Sequence, residues 1–528
     1  MSENYSGRAF NHSIAYYVGG RFLNAVAAFF ILIWIARQLP ENQYINYVAA
    51  YSIIEMGIVL SGFGMEWVTG IYIPQIRMHA SGRDLYRFVW QSAALQALLL
   101  AGGALILFFT APLLTAWLGL RDAQGVLRLY AGVMLIEGVS RVFRDQLLSS
   151  LLLQKAGQAS QLLRNVALAG YAVLAFSHEE WRNAHALAVG ELIASSGSLL
   201  VAAWCLQRHL WPLRAQAGRP AAAQPAATAG MPGAEPAWAM PAWRDMLRVG
   251  RNAWLSNIAN LTWSWQAVIL LATRTLGPEA AAPLGFARNL AEQVRKYLPS
   301  EFLLGIVRTL LVVRYAAEKD KGKLGLRAGL IYKVNLLCLL PLLVLCAVRG
   351  AELAAFLSKG RYPDAHWLLT GWLAVLVVLA HRRLTDLMAH TLGRSSATTR
   401  ANFVLLLTPL ALLLVAPQQR WSWLFAVLAL AETVYSALVL RQLRTPDWHY
   451  RLHWSGLAKY LVAGLLAAMV LASLPGGADA FHLALALCAA TGVSWGVLLL
   501  LRPLSAAELA LLPARALRLL RQSPAVSS

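Results

Sequence analysis

About fourteen stretches of this chain are apolar for long enough to cross a lipid bilayer, each near the roughly 20 residues a spanning helix needs. They lie near residues 13–36, 44–70, 88–110, 126–150, 158–177 and 184–206, then near 247–272, 282–311, 328–348, 366–390, 401–417, 421–440, 457–474 and 481–501. No other feature removes as many folds. In hydrocarbon a backbone must satisfy its own N–H and C=O groups, so a spanning segment is a helix or a strand of a closed barrel. Barrel strands alternate over about ten residues, and these runs do not. Composition agrees: 58% of the 528 residues are hydrophobic and 13% are charged, too few polar residues for a soluble surface or a disordered chain. The expected fold class is all-α, a polytopic membrane protein of about 12–14 transmembrane helices. The first apolar run carries Arg21 within it and is followed by no small-residue cleavage site, so it reads as a retained helix rather than a signal peptide.

The 46 Lys and Arg residues outnumber the 25 Asp and Glu, for a formal net charge of +21. They come in short clusters between apolar runs, which argues against nucleic-acid binding. Alternate loops are basic: Arg77, Arg83 and Arg87; Arg141, Arg144, Lys155 and Arg164; Arg208 to Arg248; Arg314 to Arg327; Arg394 and Arg400; Arg441 to Arg451. The intervening loops are poorer and mixed. The positive-inside rule puts the basic set and both termini in the cytoplasm, and the helix count is then even. Most of the positive charge is thus a topological mark that also attracts anionic lipid. Cys205, Cys338, Cys346 and Cys488 sit in apolar segments without metal or disulfide spacing and read as small core residues. No metal site is expected.

Residues 208–243 are rich in Ala, Pro and Gly without periodicity, and read as a cytoplasmic linker. It separates segments that resemble each other. IARQL after the first run parallels LATRTL after the seventh, aligning Arg37 with Arg274 at an offset of about 237 residues. LTAWLGL (114–120) parallels LAAFLSKG (353–360), and Gly157-Gln158 parallels Gly393-Arg394, at nearly the same offset. Six helices separate the repeats, so both lobes have one orientation and are related by an axis along the membrane normal. The expected organisation is an amino-terminal six-helix lobe (1–207), the linker (208–243), a second six-helix lobe (244–442), two additional helices (443–503) and a basic amphipathic cytoplasmic tail (504–528). Two tandem lobes suggest alternating access.

Three elements carry a family resemblance. ARQLPENQY after the first run is similar to an "AR-x-L-G-P-x-x-Y-G" motif, with Pro40 and Glu41 in place of Gly-Pro and Ile45 in place of the last Gly. FLSKGRYPDAHWLL (356–369) is similar to "lfG-x-x-Y-x-x-A" through Gly360, Tyr362 and Ala365, with the Gly–Tyr spacing one shorter. HTLGRSSATTRAN (390–402) is like a short "a-x-G-r" turn. On these elements the chain resembles the polysaccharide and lipid-linked oligosaccharide flippases, the Wzx-like branch of the MATE-like superfamily. The resemblance implies a transporter in the bacterial inner membrane that moves an undecaprenyl-diphosphate-linked oligosaccharide from the inner to the outer leaflet. It implies a lipid-linked glycan as substrate, with glycosyltransferases and a polymerase of the same pathway as partners.

Such cargo needs a cationic, water-filled cavity, because unpaired charge in lipid is costly. Arginine suits its diphosphate through paired hydrogen bonds. On the first helix the candidates are Arg21 and, one turn along, Asn24. The eighth run, GFARNLAEQVRKYLP, offers Arg288, Arg295 and Lys296, with Arg288, Glu292 and Arg295 on one face. Trp263 and Trp265 are candidates for stacking on sugar rings, against the plainer reading of helix packing. Glu55 and Glu66 are the candidates for coupling transport to H+ or Na+; no other cofactor is expected. Glu137, Glu191, Glu301, Asp386 and Glu432 are the other intramembrane acids, and Glu137 is placed to balance Arg141 one turn away. Lys333, Arg382 and Arg383 are expected to snorkel, and Arg141 and Arg144 to mark topology. The chain has no P-loop, HExxH, GxSxG or Asp-x-Asp motif, so no enzyme is expected. Two alternatives are a MATE-like cation-coupled small-molecule exporter, whose cavity would want carboxylates, and a membrane polysaccharide polymerase or ligase, which would want arginines in a large external loop.

Overall fold

The computed structural model describes residues 7–120, 123–215, 240–302, 315, 319–362, 364–394, 396–415, 421–445, 448 and 450–511. Most of the expected linker, the far end of the eighth run and the tail beyond residue 511 lie outside them. Within these residues the apolar runs fall on helix, and the described residues contain no strand, only one isolated bridge between Thr445 and Trp448.

The chain divides into two compact units, Met1–Ala282 and Pro283–Ser528. The first holds α1 (Gly7–Gln38), α2 (Glu41–Ser61), α3 (Met65–His79), α4 (Gly82–Leu118), α5 (Gln124–Arg141), α6 (Gln154–Ala175), α7 (Ala184–Leu210), α8 (Trp243–Leu261) and α9 (Trp265–Leu276). Helix α10 (Pro278–Tyr297) begins there and continues into the second unit. There it is followed by α11 (Pro299–Phe302), α12 (Lys321–Ser358), α13 (Ala365–Thr391), α14 (Ser396–Val404), α15 (Thr408–Val415), α16 (Trp421–Leu443), α17 (Trp454–Ser473), α18 (Ala480–Leu501) and α19 (Ala506–Leu509).

Ten helices among the described residues are long and apolar enough to span a bilayer. The expected runs outside that set lie on α5, α6, α8–α9 and α10, which carry Glu137 and Arg141, Arg164, Arg248 and Arg251, and Arg288 and Arg295. The second run, expected as one segment, is two helices. Phe63 and Gly64 take positive φ (45° and 65°) and end α2. A Cβ on Gly64 would lie 2.1 Å from the carbonyl oxygen of Gly250, so this turn is where α8 comes into backbone contact. The seventh run also breaks, at Thr262–Ser264, where the Ser264 hydroxyl accepts from the backbone N–H of Ala267 at 3.3 Å and starts α9.

In the first unit α1 packs on α6, α6 and α5 on α7, and α4 on α5. Phe88, Val89, Leu147, Leu206 and Met246 belong to its largest described apolar core. Leu98, Ile106, Phe109 and Leu113 of α4 stay exposed, as suits a face turned to lipid. Helices α4 and α12 have 37 and 38 residues. At 1.5 Å per residue α4 is about 55 Å long, whereas α12 is broken at Arg349.

In the second unit α17 and α18 pack on α12 through Val344, Leu345, Ala467, Leu471, Ala486 and Ala490. A cation fastens each end of this seam. Arg349, at a non-helical residue within α12 (φ −120°, ψ 22°), bonds Glu352 at 3.0 Å and donates to the carbonyls of Leu471 and Leu474 at the end of α17. Lys333 was expected to snorkel, but it is only 2% exposed. Its ammonium meets Glu508 Oε2 at 2.5 Å, His453 Nδ1 at 2.8 Å and the carbonyl of Pro503 at 3.0 Å. Its three donors are satisfied by protein, so it does not need the interface. Breaking this pair with Lys333→Ala should cost about 3 kcal/mol of stability by leaving Glu508 unpaired. The paired change Lys333→Met with Glu508→Met should recover most of that loss, as read by unfolding in mixed micelles.

Candidate functional site

The first unit holds a buried ion network built on Glu137. Its spacing from Arg141 puts both on one face of α5, and their contact is 2.9 Å. Past Arg141 the helix widens into a π-helical segment, Val142–Leu148, which carries Arg144 and Asp145. Glu137 is shared among three guanidiniums: Arg141, Arg144 at 3.6 Å, and Arg164 of α6 at 2.9 Å. It also accepts from the Ser195 hydroxyl of α7 at 2.9 Å. Arg141 reaches on to α2, where it donates to both oxygens of Glu55 at 3.0 and 2.6 Å. Arg144 forks onto the exposed Asp145 at 3.0 and 3.2 Å. Arg141 and Arg144 were expected to mark topology and Arg164 to lie in a basic loop. They are instead the positive half of a network joining α2, α5, α6 and α7. Their burial is tolerated because each has a carboxylate partner.

Asn24 is also buried and couples α1 to α6. Its amide donates to Gln158 Oε1 at 3.0 Å, and Asn165 donates back to the Asn24 carbonyl at 3.1 Å. Gly20 makes room for Gln158 in this contact. Arg21, one turn earlier, is half-buried. Glu55 sits in the ion network, whereas Glu66 is exposed on α3 and accepts from Asn257 at 3.3 Å. The two coupling candidates therefore occupy unlike surroundings. Trp263 and Trp265 are buried where α8 turns into α9. An apolar cavity of about 310 Å³ lies along α1 and α6, lined by Phe30, Trp34, Arg37, Asn165 and Val166 among others. Its lining suits hydrocarbon rather than sugar.

In the second unit Arg382 of α13 is buried against Glu432 of α16 at 3.2 Å and Asn402 of α14 at 3.3 Å, with its guanidinium 4.1 Å from the centre of the Tyr435 ring. Tyr435 donates to Asp386 at 2.6 Å, and Arg383 pairs with Glu301 at 2.6 Å. Both arginines were expected to snorkel; buried acids hold them instead. Asn402 and Glu432 lie one repeat length beyond Asn165 and Ser195. Ser195 and Glu432 each meet an arginine, Arg164 and Arg382, whereas Asn402 meets Arg382 and Asn165 meets Asn24.

Arg288 differs from these arginines. It is 3% exposed and donates to Asn289 Oδ1 at 2.9 Å, yet it has no ion pair and its Nε has no hydrogen-bond partner among the described residues. Phe286, on the same helix, lies against Tyr362 with ring centres 5.3 Å apart. This ties α10 to the Gly360–Tyr362 turn. Arg295 pairs with Glu292 at 2.7 Å, both partly exposed, and Lys296 is exposed. A buried guanidinium without a carboxylate is suited to an incoming anion.

The helices and their buried charges define a multi-pass membrane protein. The sequence profile of the polysaccharide biosynthesis protein family matches residues 11–309, over half of the chain, and the chain belongs to that family. No curated protein matches the sequence. Among solved structures, a lipid II flippase, MurJ, in an inward closed conformation aligns with 91% of this chain and 97% of its own at a TM-score of 0.63 and 9% identity. An inward-facing multidrug resistance MATE family transporter of the MOP superfamily aligns with 80% of this chain and 94% of its own, at 0.57 and 15% identity. A MOP superfamily transporter from Pyrococcus furiosus aligns with 81% and 93%, at 0.52 and 14% identity. The fold is therefore that of these flippases and transporters, and the named neighbours are transporters rather than enzymes. Replacing Glu137 by Ala should destabilise the protein by about 3–5 kcal/mol, since three buried arginines lose a shared carboxylate. Steric trapping or a thermal shift in detergent measures it, and the exposed Glu66→Ala should change stability by less than about 0.5 kcal/mol.

Proposed function

We propose that the chain flips an undecaprenyl-diphosphate-linked oligosaccharide from the inner to the outer leaflet of the bacterial inner membrane by alternating access, for surface or exopolysaccharide biosynthesis. Its family and a fold shared with a lipid II flippase support this reading. The observation that carries it is Arg288, buried without an ion pair among the described residues. A diphosphate supplies the oxygens that this guanidinium lacks. Arg295 and Lys296, further along α10, provide more positive charge for the same head group. In the first unit, taken by itself, Arg21 and Asn24 of α1 and Trp263 and Trp265 at the turn between α8 and α9 are separate candidates for contact with the glycan. A small-cation exporter would want open carboxylates, whereas Glu55, Glu137, Glu301 and Glu432 are all bound by arginines. Glycosyltransferases and a polymerase of the pathway are the expected partners.

Changing both Arg288 and Arg295 to Ala should lower surface glycan at least tenfold, with the amount of protein in the membrane unchanged. Arg288→Lys should keep part of the activity, because it retains the charge but not the paired donors. Normal export by the double variant would refute the site. Both termini are cytoplasmic in this reading, so fluorescent fusions at either end should glow and periplasm-dependent phosphatase fusions should stay inactive.

A further inference from the structure

The buried cluster around Glu137 contains one more acid than its ion pairs use. Arg141, Arg144 and Arg164 are matched by Glu55, Glu137 and Asp145. Glu191, on α7 one turn before Ser195, stands outside this balance. It is 2% exposed, makes no ion pair, and its Oε2 has no hydrogen-bond partner among the described residues. The groups that act on it electrostatically come from each helix around it: Tyr47, Tyr51 and Glu55 of α2, Tyr130, Glu137 and Arg141 of α5, and Arg164 of α6. Arg144 and Asp145 of the π-helical segment lie further along α7, where Arg144 meets Ser198 at 3.5 Å. The Tyr130 hydroxyl is likewise fully buried with no partner among the described residues. With Glu191 ionised the cluster carries one net negative charge. With Glu191 protonated it is neutral.

We propose that Glu191 is a proton-binding site, and that its protonation couples the amino-terminal unit to the proton gradient; this rests on the transport reading above. The carboxylate takes one proton from water and returns it, with no other bond changed. Arg164 conveys the change. Its Nε already lies 2.9 Å from Glu137 and 3.1 Å from Ser195. When Glu191 loses its proton, Arg164 has a second carboxylate one turn from Ser195, and its hold on Glu137 is shared between α5 and α7. A proton fits better than a metal ion: two arginines, Arg141 and Arg164, act on the site, and no group of three or more His, Cys, Asp or Glu among the described residues is arranged to hold a metal. In the proposed orientation Glu191 lies about 10 Å from the outer end of its helix, so the proton would enter from outside.

The test uses the full chain in phosphatidylethanolamine–phosphatidylglycerol vesicles, without glycan, read by infrared difference spectra as the pH is stepped. Wild type should show a protonated-carboxyl carbonyl band that titrates. Glu191→Gln should lose it, Glu66→Gln should keep it, and Glu191→Asp should move it. Absence of a titrating band in wild type, its survival in Glu191→Gln, or an unmoved band in Glu191→Asp overturns the proposal. If Glu191→Gln fails to accumulate, the wild-type and Glu191→Asp spectra still decide. In cells, glycan export by wild type should fall at least tenfold with a protonophore, and export by Glu191→Gln should not respond to it. Export by Glu191→Gln that falls as steeply as wild type overturns the coupling. A titrating band lost in Glu191→Gln, in a protein that exports no glycan, leaves the proton site standing and removes the transport reading alone.

Discussion

Charge inside hydrocarbon must be cancelled locally, and the sharing of Glu137 among Arg141, Arg144 and Arg164 is how the first unit does it. One carboxylate on α5 thereby fixes α6 and, through Ser195 and Arg141, reaches α7 and α2. Apolar contact between helices gives little driving force in a lipid solvent, so such polar contacts set which helices are neighbours. The helices with the most to hide are those whose own hydropathy is least suited to the membrane. Their insertion depends on partners, which makes the polar residues structural before they are functional. Arg288 stands out against that background, because every buried arginine of the two ion networks has an acid.

Much of the architecture was legible in the sequence, since apolar length alone marks where helices cross. Asn165 and Asn402, and Ser195 and Glu432, keep the offset first visible at Arg37 and Arg274. The break after α2 was not. Gly62 and Gly64 sit in an apolar run, and what ends the helix is the approach of Gly250 from α8, a contact between residues far apart in sequence. The roles of Arg141, Arg382 and Lys333 were misread for one reason. Position along a helix separates an interfacial cation from a deep one, but it cannot show an acid arriving from another helix. Glu55 is 86 residues from Arg141, and Glu508 is 175 residues from Lys333. Pairs within one helix, such as Glu137 with Arg141 and Glu292 with Arg295, were within reach of pattern reading.

The two carboxy-terminal helices are fastened to α12 at both ends and packed along the middle. Arg349 donates to the carbonyls of Leu471 and Leu474 at the end of α17, the first of which also accepts from the Leu474 N–H, and Lys333 meets the Ser505–Glu508 capping box of α19. An apolar seam alone would let these helices slide along α12. The cationic ends fix their register.

The lengths of α4 and α12 carry a consequence of their own. Gly82 and Lys321 begin them at nearly the offset that separates Arg37 from Arg274. At about 55 Å α4 exceeds the roughly 30 Å hydrocarbon layer, whereas α12 breaks at Arg349 before its full length. A helix with apolar length to spare meets a thinner or thicker bilayer by tilting, at a fraction of a kcal/mol per Å of mismatch. For α4, whose residues from Phe88 to Leu118 carry no charge, that surplus lets the first unit accept membranes of unequal thickness.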